Sequence, residues 1–216
     1  MHRLTLLVVM FTLLVMNVTA QVEPSFEISD PISIFAETVT NEAAIAINTQ
    51  ESEVLLLTIE TLGLEIDPIT GEQSSQCVVG FYYDPVTLQQ KGESFAVVGN
   101  PAGALQKLSV TYNPVNNKYF VAVAADSYSP SGKRVPLMAI VNPYSVAQSG
   151  SPIFKAWAWD TETTQDYQDT AVAASSKNGN LIYVSEYSPV GESEGVVGLI
   201  YDKEGNLLTP AVTRLD

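Results

Sequence analysis

The stretch WAWDTETTQDYQD, Trp157 to Asp169, concentrates the side chains of this sequence best suited to hold a ligand. Asp160, Glu162, Asp166 and Asp169 carry oxygen donors of the kind Ca²⁺ gathers, about six to eight to an ion. Their spacing matches no EF-hand loop, because the Asp-x-Asp-x-Asp-Gly order is missing. A solvated acidic loop without metal is the other reading of the same residues. Trp157 and Trp159 stand two apart, so on a strand they face the same way. With Tyr167, and with Tyr128 or Tyr187 from other loops, they form a candidate aromatic platform for a sugar ring. Packing of at least one tryptophan against a neighbouring element is the alternative.

Catalysis in this chain would fall to carboxylates. Glycosidases need two of them roughly 5–9 Å apart. Glu65, Asp67, Glu72 and Glu192 stand on expected loops and are equally eligible. Among 24 Asp and Glu, some pair meets that distance by chance, so no residue is assigned as catalytic. The single histidine, His2, lies in a segment expected to be removed. The mature chain then has no His base, no His metal ligand and no Cys–His or Ser–His pair, which excludes most hydrolase mechanisms and the usual zinc sites. The expected role is therefore non-catalytic, with no cofactor beyond a candidate Ca²⁺.

The removed segment is residues 1–20. A basic start at His2 and Arg3 precedes the apolar run Leu4–Met16, within the usual ~7–15 residues of a signal peptide. Val18-Thr19-Ala20 suits signal peptidase, so the mature chain is expected to begin at Gln21 and to be exported, extracellular or periplasmic. A retained N-terminal anchor is the competing reading. The remaining 196 residues are enough for one large domain with a sizeable core. Their nine Lys and Arg face 24 Asp and Glu, and a chain this acidic repels phosphate backbones and anionic lipid. Nucleic acid and membrane are thus not expected partners. Cys77, the only cysteine, sits in the apolar run QCVVGFYYD and reads as a buried, inert thiol rather than an intermolecular bridge.

The elements that position these loops recur. AAIAINTQESEVLLLTIE (43–60), KLSVTYNPVNNKYFVAVA (107–124) and DTAVAASSKNGNLIYVSE (169–186) each alternate apolar and polar residues, cross a polar turn and enter a second apolar run. Period-two alternation marks a half-buried strand, and two such runs around a turn make a hairpin. Asn48, Asn113 and Ser175 anchor the three hairpins. VVGFYYDPVTLQQ (78–90), PLMAIVNPYSVAQ (136–148) and VVGLIYDKEGNLL (196–208) add a third strand ending at Asp84, Asn142 and Asp202. A fourth follows at SFAVVG (94–99), SPIFKAWAW (151–159) and TPAVTRL (209–215). No stretch shows helical periodicity.

Three four-stranded meanders of about sixty residues are what β-propeller blades look like, so the expected fold class is all-β. The expected layout is a leading strand in 21–40, then blades at 41–100, 101–160 and 161–216. A pair of β-sandwiches built from similar hairpins is the competing fold. The pattern apolar-x-Tyr-Asn-Pro-x-Asn-Asn-x-Tyr-Phe-Val-x-Val at 110–123 resembles exported β-propeller repeat proteins whose blades open with a Tyr-Asn-Pro hairpin. Only the middle unit carries the whole motif, and the resemblance implies architecture, not activity. The sialidase-type Ser-x-Asp-x-Gly-x-Thr-Trp box, the WD repeat and the kelch Gly-Gly signature are missing.

Closed propellers have about four to eight blades, and three leave two apolar faces uncovered. The chain is expected either to be part of a longer propeller or to close one as a homo-oligomer, head to tail. In a meander the first and third turns share one end, and the longer, varied loops share the other, where binding is expected. The functional expectation is an exported binding or scaffold module for a glycan or protein. The alternatives are a carboxylate-dependent carbohydrate-active enzyme fragment and a structural or adhesive extracellular repeat.

Overall fold

The computed structural model describes residues 42–62, 75–100, 103–126, 134–158, 166–167, 169–188, 195–209 and 213–214. The expected signal peptide and leading strand lie outside these residues, as do Glu65, Asp67, Glu72, Tyr128, Trp159, Asp160, Glu162 and Glu192.

The described chain is all-β, in three antiparallel sheets. Sheet 1 contains β1 (Ala43–Asn48), β2 (Glu53–Leu62), β3 (Ser75–Tyr83) and β4 (Gln90–Asn100). Sheet 2 contains β5 (Leu105–Asn113), β6 (Lys118–Ala125), β7 (Val135–Val141) and β8 (Ile153–Ala158). In sheet 3, β10 (Ala171–Ala174), β11 (Leu181–Ser188), β12 (Gly195–Tyr201) and β13 (Thr213–Arg214) follow the same sequential order. Two elements depart from the sequence expectation. The connection after β7 holds a four-residue helix, α1 (Tyr144–Ala147), too short to show a period. The expected loop ahead of sheet 3 holds β9 (Asp166–Tyr167), which pairs with Tyr187 and Ser188 at the end of β11.

The first hairpin has one geometry in all three sheets. Each loop has four residues, between Asn48 and Glu53, Asn113 and Lys118, and Ser175 and Asn180. The last loop residue is left-handed each time, with φ of 49° at Ser52, 53° at Asn117 and 76° at Gly179. The residue before the loop caps it through its own side chain, as Asn and Ser do in turns. Asn48 Oδ1 accepts from the N–H of Gln50 (2.9 Å) and Glu51 (3.1 Å). Asn113 Oδ1 accepts from Val115 N–H (3.1 Å), and Ser175 Oγ from Lys177 N–H (3.3 Å). Asp84 and Asp202 cap the third turns of sheets 1 and 3 in the same way.

Sheet 2 lies between the other two. β5 lies against β1 on one side and β10 on the other. All of β7, and all of β6 after Lys118, is buried, because both faces are covered. Tyr119, Val121 and Val123 join Leu55, Leu57 and Ile59 in one core. The intervening Phe120 and Ala122 join Met138, Ile140, Leu181, Tyr183 and Leu199 in a second. Each large side chain so buried contributes roughly 1.5–3 kcal/mol. Cys77 lies inside sheet 1 at 4 % exposure, and burial pushes its thiol up, so it stays protonated.

Polar side chains join the sheets at the hairpin end. Asn48 Nδ2 donates to Asn117 Oδ1 (2.9 Å), and Asn113 Nδ2 donates to the Gly179 carbonyl (2.8 Å). Asn117 Nδ2 donates to Glu51 Oε1 at 2.6 Å, and Asn116 Nδ2 to the Lys203 carbonyl at 2.6 Å. The regular Asn-Pro-x-Asn-Asn turn of the middle unit thus serves as the cross-piece between its neighbours.

Candidate functional site

Of the expected platform, Trp157 on β8 borders an open cleft. The register of β8 places Lys155 opposite Ile140 and Trp157 opposite Met138, on the face turned to sheet 3. Trp157 stacks on Phe120, with ring centroids 6.1 Å apart and planes 13° from parallel. It meets Tyr201 edge-on at 5.6 Å. From sheet 3 the turn after β12 closes over it. Gly205 adopts φ +78°, and a Cβ there would lie 2.8 Å from Trp157 Cη2. Only glycine permits both that backbone angle and that approach.

Between β8 and this turn lies an open cleft of about 450 Å³, lined by Lys155, Trp157, Ala158, Tyr201, Gly205, Asn206 and Leu207. Lys155 Nζ donates to the Gly205 carbonyl (2.6 Å) and to Asn206 Oδ1 (3.2 Å), and lies 5.1 Å over the Trp157 ring. Asn206 is itself fixed by its Nδ2 donating to Asp202 Oδ2 at 2.9 Å. The Trp157 Nε1–H and the Tyr201 hydroxyl lie near each other and are both buried behind the cleft wall rather than open to it. Burial also holds the Tyr201 hydroxyl protonated well above the usual phenol range. The cleft therefore combines an aromatic wall with a held cation and the Asn206 amide beside it.

The other expected site residues are dispersed. Tyr167 is wholly buried on β9, near Tyr183 and Tyr201. In the β9–β11 pairing Tyr187 lies opposite Tyr167, and Asp166 opposite Ser188. Asp169 forms an ion pair with Lys107 at 3.1 Å. Among the described residues no group of three or more His, Cys, Asp or Glu could hold a metal ion.

The carboxylates with displaced protonation each have a structural task. Asp84 is held below its ordinary value by the backbone N–H groups of Thr87 and Val86. At Asp202 burial pushes upward, and hydrogen bonds from Asn206 and Glu204 outweigh it, so the group falls below its ordinary value. Glu53 is 1 % exposed and raised by burial, against hydrogen bonds from the Tyr119 hydroxyl (2.8 Å) and the Tyr144 N–H (3.2 Å).

Sequence reasoning missed Lys155, Tyr201 and Asn206. Lys155 had a legible signal: it is the lone charge in FKAWAW, two residues before Trp157 and so on its face. Tyr201 and Asn206 had none, since they meet Trp157 only through the packing of two sheets.

Compared with family models and with curated proteins, the chain matches none.

Proposed function

We propose that this chain is an exported segment of a β-propeller that binds a glycan without catalysis, at the cleft between sheets 2 and 3. The propeller part is supported by three sequential four-stranded meanders whose first strands lie side by side, β5 between β1 and β10. The binding part is carried by one observation: Trp157, Tyr201, Lys155 and Asn206 converge on one open cleft, with the Lys155 cation held over the Trp157 ring. A sugar ring offers an apolar C–H face to an indole and hydroxyls to the polar atoms at its edge. Lys155 adds a donor that favours glycans carrying a carboxylate or sulfate.

A glycan array with the full chain tests this reading. The expected result is binding to one glycan class, weakened roughly 10-fold or more by Lys155→Ala and by Trp157→Phe, and unchanged by Lys177→Ala on the first hairpin of sheet 3. No bound glycan, or binding indifferent to both cleft substitutions, overturns it.

A further inference from the structure

The two junctions inside the chain have the same polarity. Counted from the hairpin pairs Asn48–Glu53, Asn113–Lys118 and Ser175–Asn180, sheets 1 and 2 each present the second and fourth residues of the returning strand to the next sheet. These are Leu55 and Leu57 in sheet 1, and Phe120 and Ala122 in sheet 2. The receiving sheet answers with its first and third residues, Tyr119 and Val121 in sheet 2, Leu181 and Tyr183 in sheet 3.

Among the described residues, each set of positions has one copy that meets no other sheet. In sheet 3 the presenting positions are Ile182 and Val184, and Ile182 lies opposite Ile200; both isoleucines are 37 % exposed. In sheet 1 the receiving positions are Val54 and Leu56, flanked on β1 by Ile47 (58 % exposed) and Ile45 (62 % exposed). Branched apolar side chains in such rows, in a chain of net charge −14, mark a surface that is covered in use.

We infer that two copies of this chain pair head to tail, the Ile182 face of one seating on the Val54–Leu56 face of the other. The occupant follows from the internal junctions: a presenting face meets a receiving face twice within the chain, and two faces of one kind never meet there. A second copy supplies a receiving face for sheet 3 and a presenting face for sheet 1 together. Using both closes a ring of six sheets, within the about four to eight of known propellers. That closure rests on the propeller reading above; the pairing does not. With a net charge of −14 the copies repel at long range, so added salt strengthens the pair.

Sedimentation equilibrium of the full chain across concentration tests the pairing. The expected mass is twice that of one chain. Ile182→Glu and Ile45→Glu each give a monomer with an unchanged β-sheet spectrum. An equimolar mixture of the two variants pairs again, because each mixed pair keeps one intact junction. Should either variant lose its sheet spectrum, Ile200→Lys and Ile47→Lys address the same two faces. A wild-type monomer at every concentration, a dimer broken by only one of the two substitutions, or a mixture that stays monomeric overturns the pairing. A wild-type mass that grows beyond two copies overturns the closed ring, and with it the propeller reading.

Discussion

The hydroxyl of Tyr119 on β6 donates to Glu53 Oε1 on β2 at 2.8 Å, joining two sheets through a carboxyl that is almost wholly buried. Burial raises the Glu53 pKa more than the hydrogen bonds from Tyr119 and Tyr144 lower it. Glu51 raises it further, while Lys91 lowers it, and the Tyr82 hydroxyl lies in the same cluster. A carboxyl raised on folding favours the native state below its unfolded pKa, and that contribution is lost as pH rises through the folded value. Asp84 and Asp202 have the opposite sign, and their contributions are lost as pH falls. The melting temperature of wild type minus that of Glu53→Gln is therefore expected to fall between about pH 4 and pH 7. Tyr119→Phe, which leaves the carboxylate short of a donor, costs about 1.5–3 kcal/mol at neutral pH. Thermal melts of the three proteins across that range check both statements.

Asn113 performs two tasks with one side chain, and they can be separated. Its Oδ1 caps its own hairpin and its Nδ2 reaches the Gly179 carbonyl of the next sheet. Asn113→Asp keeps the cap and loses the donor, leaving that carbonyl unpaired, at a cost of about 1–3 kcal/mol. Asn113→Ala loses both and is expected to be the less stable variant in urea unfolding. Equal stability of the two would mean that the link to sheet 3 contributes nothing.

Gly205 sets how closely the sheet 3 turn approaches Trp157. Its left-handed angle alone makes Gly205→Ala unfavourable by roughly 1–2 kcal/mol. The added methyl also meets Trp157 Cη2 at 2.8 Å and Ile140 Cδ1 at 3.0 Å, so the turn must move away. The expected outcome is a lower midpoint in urea with red-shifted tryptophan emission, as the indole becomes more solvated.

Leu88 offers the reverse case. It is left-handed with φ 55°, and its side chain is half exposed, so little packing offsets the backbone cost. Leu88→Gly is expected to stabilise the protein by about 0.5–1 kcal/mol. A shift of the urea midpoint to higher concentration checks it.

Strand identity was legible in the sequence because alternation is local: Tyr119-Phe120-Val121-Ala122 declares two faces without reference to anything distant. The turns were legible too, since Asn48, Asn113, Asp84 and Asp202 each cap the loop that follows them. What alternation does not encode is which sheet covers a face. For Trp157 the platform and the packing readings both stood open, because WAW gives direction but no partner, and Phe120 and Tyr201 pack against it from other strands. Glu53 looked like one more acid of an acidic chain; its partners are 66 and 91 residues away. Lys155 and Asn206, 51 residues apart, form their part of the cleft only when sheets 2 and 3 pack.

The cleft is tested most directly by the indole N–H resonance of Trp157, assigned in a Trp159→Phe protein where it is the remaining tryptophan. Titration with the glycan identified on the array should move this resonance, as a sugar ring covers the indole face, and the shift should saturate together with binding. A bound glycan that leaves the resonance in place while others shift would show that the ligand sits elsewhere and that the cleft is not the site.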